Sequence, residues 1–119
     1  MDEKMKAFLR LMQGAFFFAK RAYACSFDDE ETNHKEDKCA AMAYAAVCLA
    51  KCSAAEAIYW TTPELKHEEM TNLFAKFNIF ARELLKDFET GHSRQWVSIE
   101  FKRLEECFNE SVCSQRIPE

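Results

Sequence analysis

Residues that interrupt helices are scarce in this chain, with two glycines and two prolines among 119 residues. An all-β domain needs a turn about every 8–12 residues, and turns depend largely on such residues. The scarcity therefore argues against a β-sandwich or a β-barrel. Alanine, leucine, glutamate, lysine and methionine, which favour helices, are abundant. We expect an all-α fold with residues 1–119 in a single domain, as is usual for a chain of this length.

A surplus of positive charge is also missing. Sixteen basic residues stand against twenty acidic ones, which gives a net charge of −4. Proteins that bind nucleic acid by neutralising its phosphates usually carry the opposite balance. The composition therefore does not favour nucleic acid as a partner.

The chain lacks a clear targeting segment and a long apolar run. The apolar stretch AFFFA is preceded by Asp2 and Glu3 and followed by Lys20 and Arg21, where a signal peptide would be neutral. No run reaches the ~18 apolar residues that a membrane-spanning helix needs. We therefore expect a cytoplasmic protein that does not contact a membrane.

The six cysteines lack the spacing of a zinc site, because no C-x-x-C pair occurs. In the cytoplasm they are expected to be reduced thiols. Cys48 and Cys52 lie one helical turn apart and would supply two ligands to a soft metal, or act in redox chemistry, as one alternative function. Free cysteine packs more often as a small apolar side chain. We therefore expect no metal and no cofactor.

Apolar residues recur at three- and four-residue intervals in four segments, which predicts four helices. Their expected bounds are about 2–25, 35–60, 63–89 and 94–113, with an acidic loop at 26–34. Four helices of this length with short connections are typical of an antiparallel four-helix bundle. Gly14 lies inside the first helix, and we expect it to mark a close approach by another backbone.

Capping residues predict where the helices begin and end. Asn33 is the predicted N-cap of the second helix, with Glu36 in the capping-box position. Thr62 followed by Pro63 predicts the start of the third helix, and Gly91 its left-handed end. The core-facing residues predicted for the third helix are Met70, Leu73, Phe74, Phe77, Phe80, Ala81, Leu84 and Phe88.

The second helix is predicted to be apolar almost all round. Between Ala40 and Trp60 its only clearly polar residues are Lys51, Ser53 and Glu56. A helix of this kind is buried on most sides. It must therefore lie at the centre of the fold, or have its outer face covered by another subunit or partner.

Apolar positions away from the main stripes support a contact between proteins. Such positions on the third and fourth helices, together with one sector of the second helix, mark interfaces when they cluster. The sequence therefore favours a non-catalytic protein that acts through protein–protein contact, as a homodimer or as an accessory or regulatory subunit. The predicted interface residues are Ile79, Ile99, Val47, Ala54 and Ile58.

A second hypothesis comes from a family resemblance. A long first helix ending in AKRAYA, an acidic turn, and then AMAYAAVCLAKCSAAEAIYW together resemble the opening helical hairpin of HEPN (higher eukaryotes and prokaryotes nucleotide-binding) domains, over residues 5–60. The resemblance implies an all-α domain of four or five helices, often dimeric, in a family that includes ribonucleases and toxin or defence components. The family's active motif is an arginine, four to six residues, and then a histidine.

This chain departs from that motif, because nine residues separate Arg82 from His92. Arg82, His92 and Arg94 are the alternative catalytic candidates, since they group near the junction of the third and fourth helices. An arginine and a histidine at such a junction would bind a phosphate and move a proton.

Overall fold

The computed structural model describes residues 2–33, 35–65 and 68–118. Four α-helices account for most of these residues: α1 (Glu3–Cys25), α2 (Lys38–Thr61), α3 (Glu68–Thr90) and α4 (Arg94–Glu110). Short 3-10 turns at Pro63–Leu65 and Val112–Ser114 follow α2 and α4. The prediction of an all-α fold with four helices is confirmed.

Two helical hairpins make up the bundle, because α1 packs closely on α2 and α3 packs on α4. The buried side of α2 carries small residues, and small side chains let two helix backbones approach each other closely. The buried residues of α2 are Ala41, Ala45, Cys48, Cys52, Ala55 and Tyr59.

Aromatic side chains fill the space between the two hairpins. Phe16 of α1 stacks on Phe108 of α4 with ring centroids 4.2 Å apart. Tyr23 stacks on Phe101 with a centroid distance of 4.3 Å. Each such pair stabilises the core by ~0.5–1.5 kcal/mol beyond the burial of its area. Large aromatic side chains therefore join α1 to α4.

The predicted core of α3 is confirmed except at Phe88, which is 42% exposed. Phe88 lies in the last turn of α3 and contacts a small cavity that Lys38 and Met42 of α2 also line. Because α2 begins at Lys38 rather than near residue 35, it has no earlier turn to cover Phe88.

The start of α2 differs from the prediction because Asp37, and not Asn33, is the N-cap. Asp37 Oδ1 accepts a hydrogen bond from the backbone N–H of Ala40 at 2.9 Å. Asn33 instead has a left-handed φ of 56°, a conformation that asparagine tolerates in turns. The acidic connection therefore extends to residue 37 rather than 34.

The predicted start of the third helix is also wrong. Thr62 and Pro63 begin a 3-10 turn, in which the N–H of Leu65 donates to the Thr62 carbonyl at 3.0 Å. The α-helix itself begins at Glu68. A single tight turn with i→i+3 hydrogen bonds is common where a helix is entered.

The predicted end of α3 is confirmed, and the predicted end of α4 is wrong. Gly91 has a φ of 72°, as a left-handed residue after a helix should. By contrast, α4 ends at Glu110 rather than Cys113. Ser111 adopts an extended conformation, and its hydroxyl accepts the backbone N–H of Cys113 at 3.1 Å. This local bond competes with continuation of the helix.

Gly14 makes room for a side chain and not for a backbone, contrary to the prediction. A Cβ atom at this position would lie 3.0 Å from Cδ and 3.3 Å from Cε of Lys51. The Lys51 ammonium lies 5.8 Å from the centre of the Phe18 ring. The glycine therefore accommodates the aliphatic part of a lysine that crosses from α2 to α1.

Gly14→Ala is expected to raise the free energy of unfolding by ~0.5 kcal/mol. Alanine in a helix interior is favoured over glycine by ~1 kcal/mol, and a shift of the flexible Lys51 stem offsets part of this gain. Urea unfolding followed by circular dichroism measures the change. In a Lys51→Ala background the same substitution should recover the full ~1 kcal/mol. A loss of stability on Gly14→Ala in the otherwise unchanged chain would contradict the prediction.

Candidate interaction surface

One side of α2 faces away from the other three helices. Val47 is 39% exposed and Trp60 is 58% exposed on this side. The structure therefore excludes a central position for α2, and residues 2–33, 35–65 and 68–118 leave an apolar face of this helix uncovered. We call this surface the α2 outer face; it consists of Ala43, Ala46, Val47, Ala50, Ser53, Ala54, Ala57 and Trp60.

The α2 outer face carries no charged residue. Lys51 is half-buried and lies against Gly14 and Phe18 of α1. Glu56 is also half-buried, outside the outer face. The two charges in the middle of α2 therefore lie toward its flanks, and the outer face presents methyl groups, one hydroxyl and one indole ring.

A shallow apolar groove continues this surface onto α3. The groove has a volume of about 320 Å³ and is lined by Met42 and Leu49 of α2 and by Leu85 of α3, among others. Leu85 is 42% exposed, as is Phe88 one turn further on. The uncovered apolar surface is therefore wider than α2 alone.

The five predicted interface residues lie in different parts of the structure. Val47 and Ala54 belong to the α2 outer face, whereas Ile58 is half-buried against the core. Ile79 lines a groove between α3 and α4, and Ile99 is 37% exposed on α4. The sequence interpretation missed most of the alanines in the outer face, because alanine gives a weak apolar signal on either side of a helix.

By length and composition, α2 also meets a criterion for a membrane-spanning helix. An 18-residue window has a mean hydropathy of 1.4, and 28% of that window is buried inside the structure. A core helix that is mostly buried in a soluble protein meets the same criterion. A lysine at the centre of a bilayer-spanning helix costs ~2.5–3.5 kcal/mol, and Lys51 lies near the middle of α2.

Cys48 and Cys52 are core residues, with 1% and 2% of their surfaces exposed. Burial raises the pKa of the Cys48 thiol to about 12, and it also raises the pKa of Cys52. A buried neutral thiol is a poor nucleophile and a poor metal ligand. Within residues 2–33, 35–65 and 68–118, no group of three or more His, Cys, Asp or Glu side chains could hold a metal ion.

Arg82, His92 and Arg94 occupy three different environments. Arg82 is exposed on α3, where it borders the grooves toward both α2 and α4. His92 is exposed in the α3–α4 connection, and its backbone N–H donates to Thr90 Oγ1 at 3.1 Å. No hydrogen bond within the described part of the chain joins the three candidates.

Arg94 instead fixes the acidic connection between α1 and α2. Its Nη2 atom donates to Glu36 Oε2 at 2.7 Å and to the Ser26 carbonyl at 3.0 Å. Its guanidinium also lies 4.8 Å from the centre of the Phe27 ring. The hydrogen bond from Arg94 lowers the pKa of Glu36. Arg94 therefore has a structural role that its place in the sequence did not indicate.

Comparison of this chain with protein-family models, with curated proteins and with solved structures gave no match. The resemblance of residues 5–60 to HEPN domains therefore stays a prediction.

The rate of alkylation in the folded protein at about pH 8 should distinguish exposed cysteines from buried ones. Cys39 is exposed and is expected to react first. The buried thiols should react only after denaturant is added, which peptide mass spectrometry would show. Native labelling of Cys52 as fast as Cys39 would contradict this and revive the redox alternative. The protected cysteines are expected to be Cys48, Cys52 and Cys113.

Glu36→Gln is expected to lower the free energy of unfolding by ~0.5–1 kcal/mol at neutral pH. Arg94 holds the pKa of Glu36 below its ordinary value of 4.5. The stabilisation is therefore present above about pH 4.5 and is lost as the pH falls through the lowered pKa of the folded state. Urea unfolding of both proteins across this range should show the difference closing in acid. Glu31→Gln is the control, because Glu31 is an exposed acid of the same connection. A difference that persists in acid would refute the ion-pair explanation.

Proposed function

We propose that this protein is a non-catalytic interaction module that self-associates through the α2 outer face. It acts in the cytoplasm as a homodimer, or as an accessory or regulatory subunit that uses the same contact. The observation that carries the proposal is the uncovered, uncharged apolar face that runs along α2. The six unpaired cysteines, including the exposed Cys39, support a reducing compartment.

A second copy of the chain suits this face because the face is self-complementary. In a two-fold dimer each surface residue meets the same patch on the other copy. Like charges across such an axis would repel, but the α2 outer face has none. Its alanines also allow two α2 helices to approach closely. Trp60 at one end supplies a residue type that is enriched at the energetic centres of interfaces.

The available area predicts a moderate affinity. The outer face is ~26 Å long at 1.5 Å per residue and about one helix diameter wide, ~10–12 Å, so that even with the edge of α3 its area is modest. A standard stable interface buries ~800 Å² per partner. We therefore expect dissociation in the micromolar range, which suits a contact that is made and broken.

Ala50→Glu tests the proposal, because Ala50 lies at the middle of the outer face. At about 200 µM, light scattering should give the unmodified protein about twice its 13.9 kDa chain mass. The Ala50→Glu variant should remain at 13.9 kDa, since two carboxylates would meet near the axis. Mixing the Ala50→Glu and Ala50→Lys variants should restore the dimer through opposite charges.

Ala24→Glu is the matched control, because it introduces the same side chain at an exposed alanine of α1. It should dimerise like the unmodified chain. A monomer mass for the unmodified protein at the highest concentration would overturn self-association. Equal loss of the dimer in the Ala50→Glu and Ala24→Glu variants would exclude the α2 outer face as the contact.

A further inference from the structure

A second groove lies between α3 and α4, and its chemistry differs from that of the α2 outer face. It has a volume of about 460 Å³ and lies along the outside of the second hairpin. Its lining includes Lys76, Ile79, Arg82, Lys86, Trp96 and Arg103.

The groove is positively charged in a protein that is negative overall. It contains four basic side chains and two carboxylates, those of Glu83 and Glu100, whereas the whole chain carries a charge of −4. Arg103 donates to Glu100 Oε1 at 2.7 Å. The other three basic side chains have no ion-pair partner within the described ranges. Three cations are therefore available to a ligand.

Apolar side chains line the same groove as these cations. Trp96 is 43% exposed at one end of the groove, and Ile79 is half-buried in its α3 side. The basic positions of α3 run from Lys76 to Lys86, a distance of ~15 Å along the helix. Two to three turns of an incoming helix would span this length. Tryptophan and arginine are also the residues most often found at the energetic centres of interfaces.

We propose that the α3–α4 groove docks an acidic amphipathic helix of a partner protein. Apolar side chains of that helix pack on Ile79 and Trp96, and its carboxylates pair with Lys76, Arg82 and Lys86. This is the helix-in-groove mode of recognition, with charge at the rim setting specificity. The inference does not rest on self-association, which uses a different surface.

Two carboxylates in the lining favour a protein over a nucleic acid. Glu100 is buried beside Arg103, and one carboxylate oxygen of Glu83 is buried without a hydrogen-bond donor in the described structure. A continuous row of phosphates would bring like charge against both carboxylates. A helix can place its acids over the cations and its apolar side chains elsewhere.

The probe is a synthetic 16-residue helical peptide with leucine along one face and glutamate on the others. A Trp60→Phe variant leaves Trp96 as the single tryptophan, so that its emission reports binding. We expect the peptide to shift and quench Trp96 emission with a micromolar dissociation constant. The Ala50→Glu variant should bind equally well. A matched peptide with lysine in place of glutamate should not bind.

Substitution of both Lys76 and Lys86 by glutamate should raise the dissociation constant of the peptide at least tenfold. Arg82 is left unchanged because it also borders the α2–α3 groove. Reversal of Lys4 and Arg10, two exposed cations of α1, makes the same change in net charge and should leave binding within twofold. Circular dichroism checks that each variant is folded. If the charge-reversed variant does not fold, the double variant Lys76→Gln, Lys86→Gln replaces it. This variant is expected to weaken peptide binding about threefold.

Three results would overturn the inference. The first is no change in Trp96 emission at millimolar peptide. The second is an equal loss of peptide binding when the groove lysines, Lys76 and Lys86, and the α1 cations, Lys4 and Arg10, are replaced by glutamate. The third is tighter binding of a 16-nucleotide oligouridylate than of the acidic peptide, which would assign the groove to single-stranded nucleic acid.

Discussion

Close packing of the small side chains of α2 against α1 is the contact on which the rest of the bundle depends. Ala45, Cys48 and Cys52 on the buried side of α2 contribute little volume to the core, and Gly14 of α1 leaves room for the stem of Lys51 from α2. Some bulky side chains of α1 stack on α2, as Phe18 does on Tyr44, and others lie toward the second hairpin. Phe16 does so by stacking on Phe108 of α4. The two hairpins are therefore held together by aromatic contacts.

The same alanine content leaves α2 without a side that favours water. A typical surface helix has a charged face opposite its apolar stripe, but α2 has Ala46 and Ala50 where lysine or glutamate would ordinarily lie. Its two central charges are half-buried, and Lys51 is held between Gly14 and Phe18. The uncovered apolar surface therefore follows from the composition of α2 and does not arise from a gap in the bundle.

Periodicity predicted the number of helices and most of the core, because long apolar stripes act through many residues at once. Helix ends depend on single contacts and were less predictable. Asn33 and Asp37 are both residue types that cap helices, but only Asp37 caps α2. The connection that ends at Asp37 is held by Arg94, which binds Glu36 from 58 residues away in the chain. The position of α2 at the edge was not predictable either, since its alanines are equally suited to a buried or an exposed side.

The two proposed surfaces are expected to differ in their sensitivity to salt. The proposed contact through the α2 outer face would bury apolar groups and would be weakened little by salt, whereas the proposed ion pairs in the α3–α4 groove would be screened within ~8 Å at physiological ionic strength. Arg82 borders both grooves of α3, so a dimer that extends onto α3 would change its surroundings. Lys76, Lys86 and Trp96 line only the second groove, so a change at Arg82 leaves most of the proposed ligand contacts intact, and the two surfaces are expected to act independently.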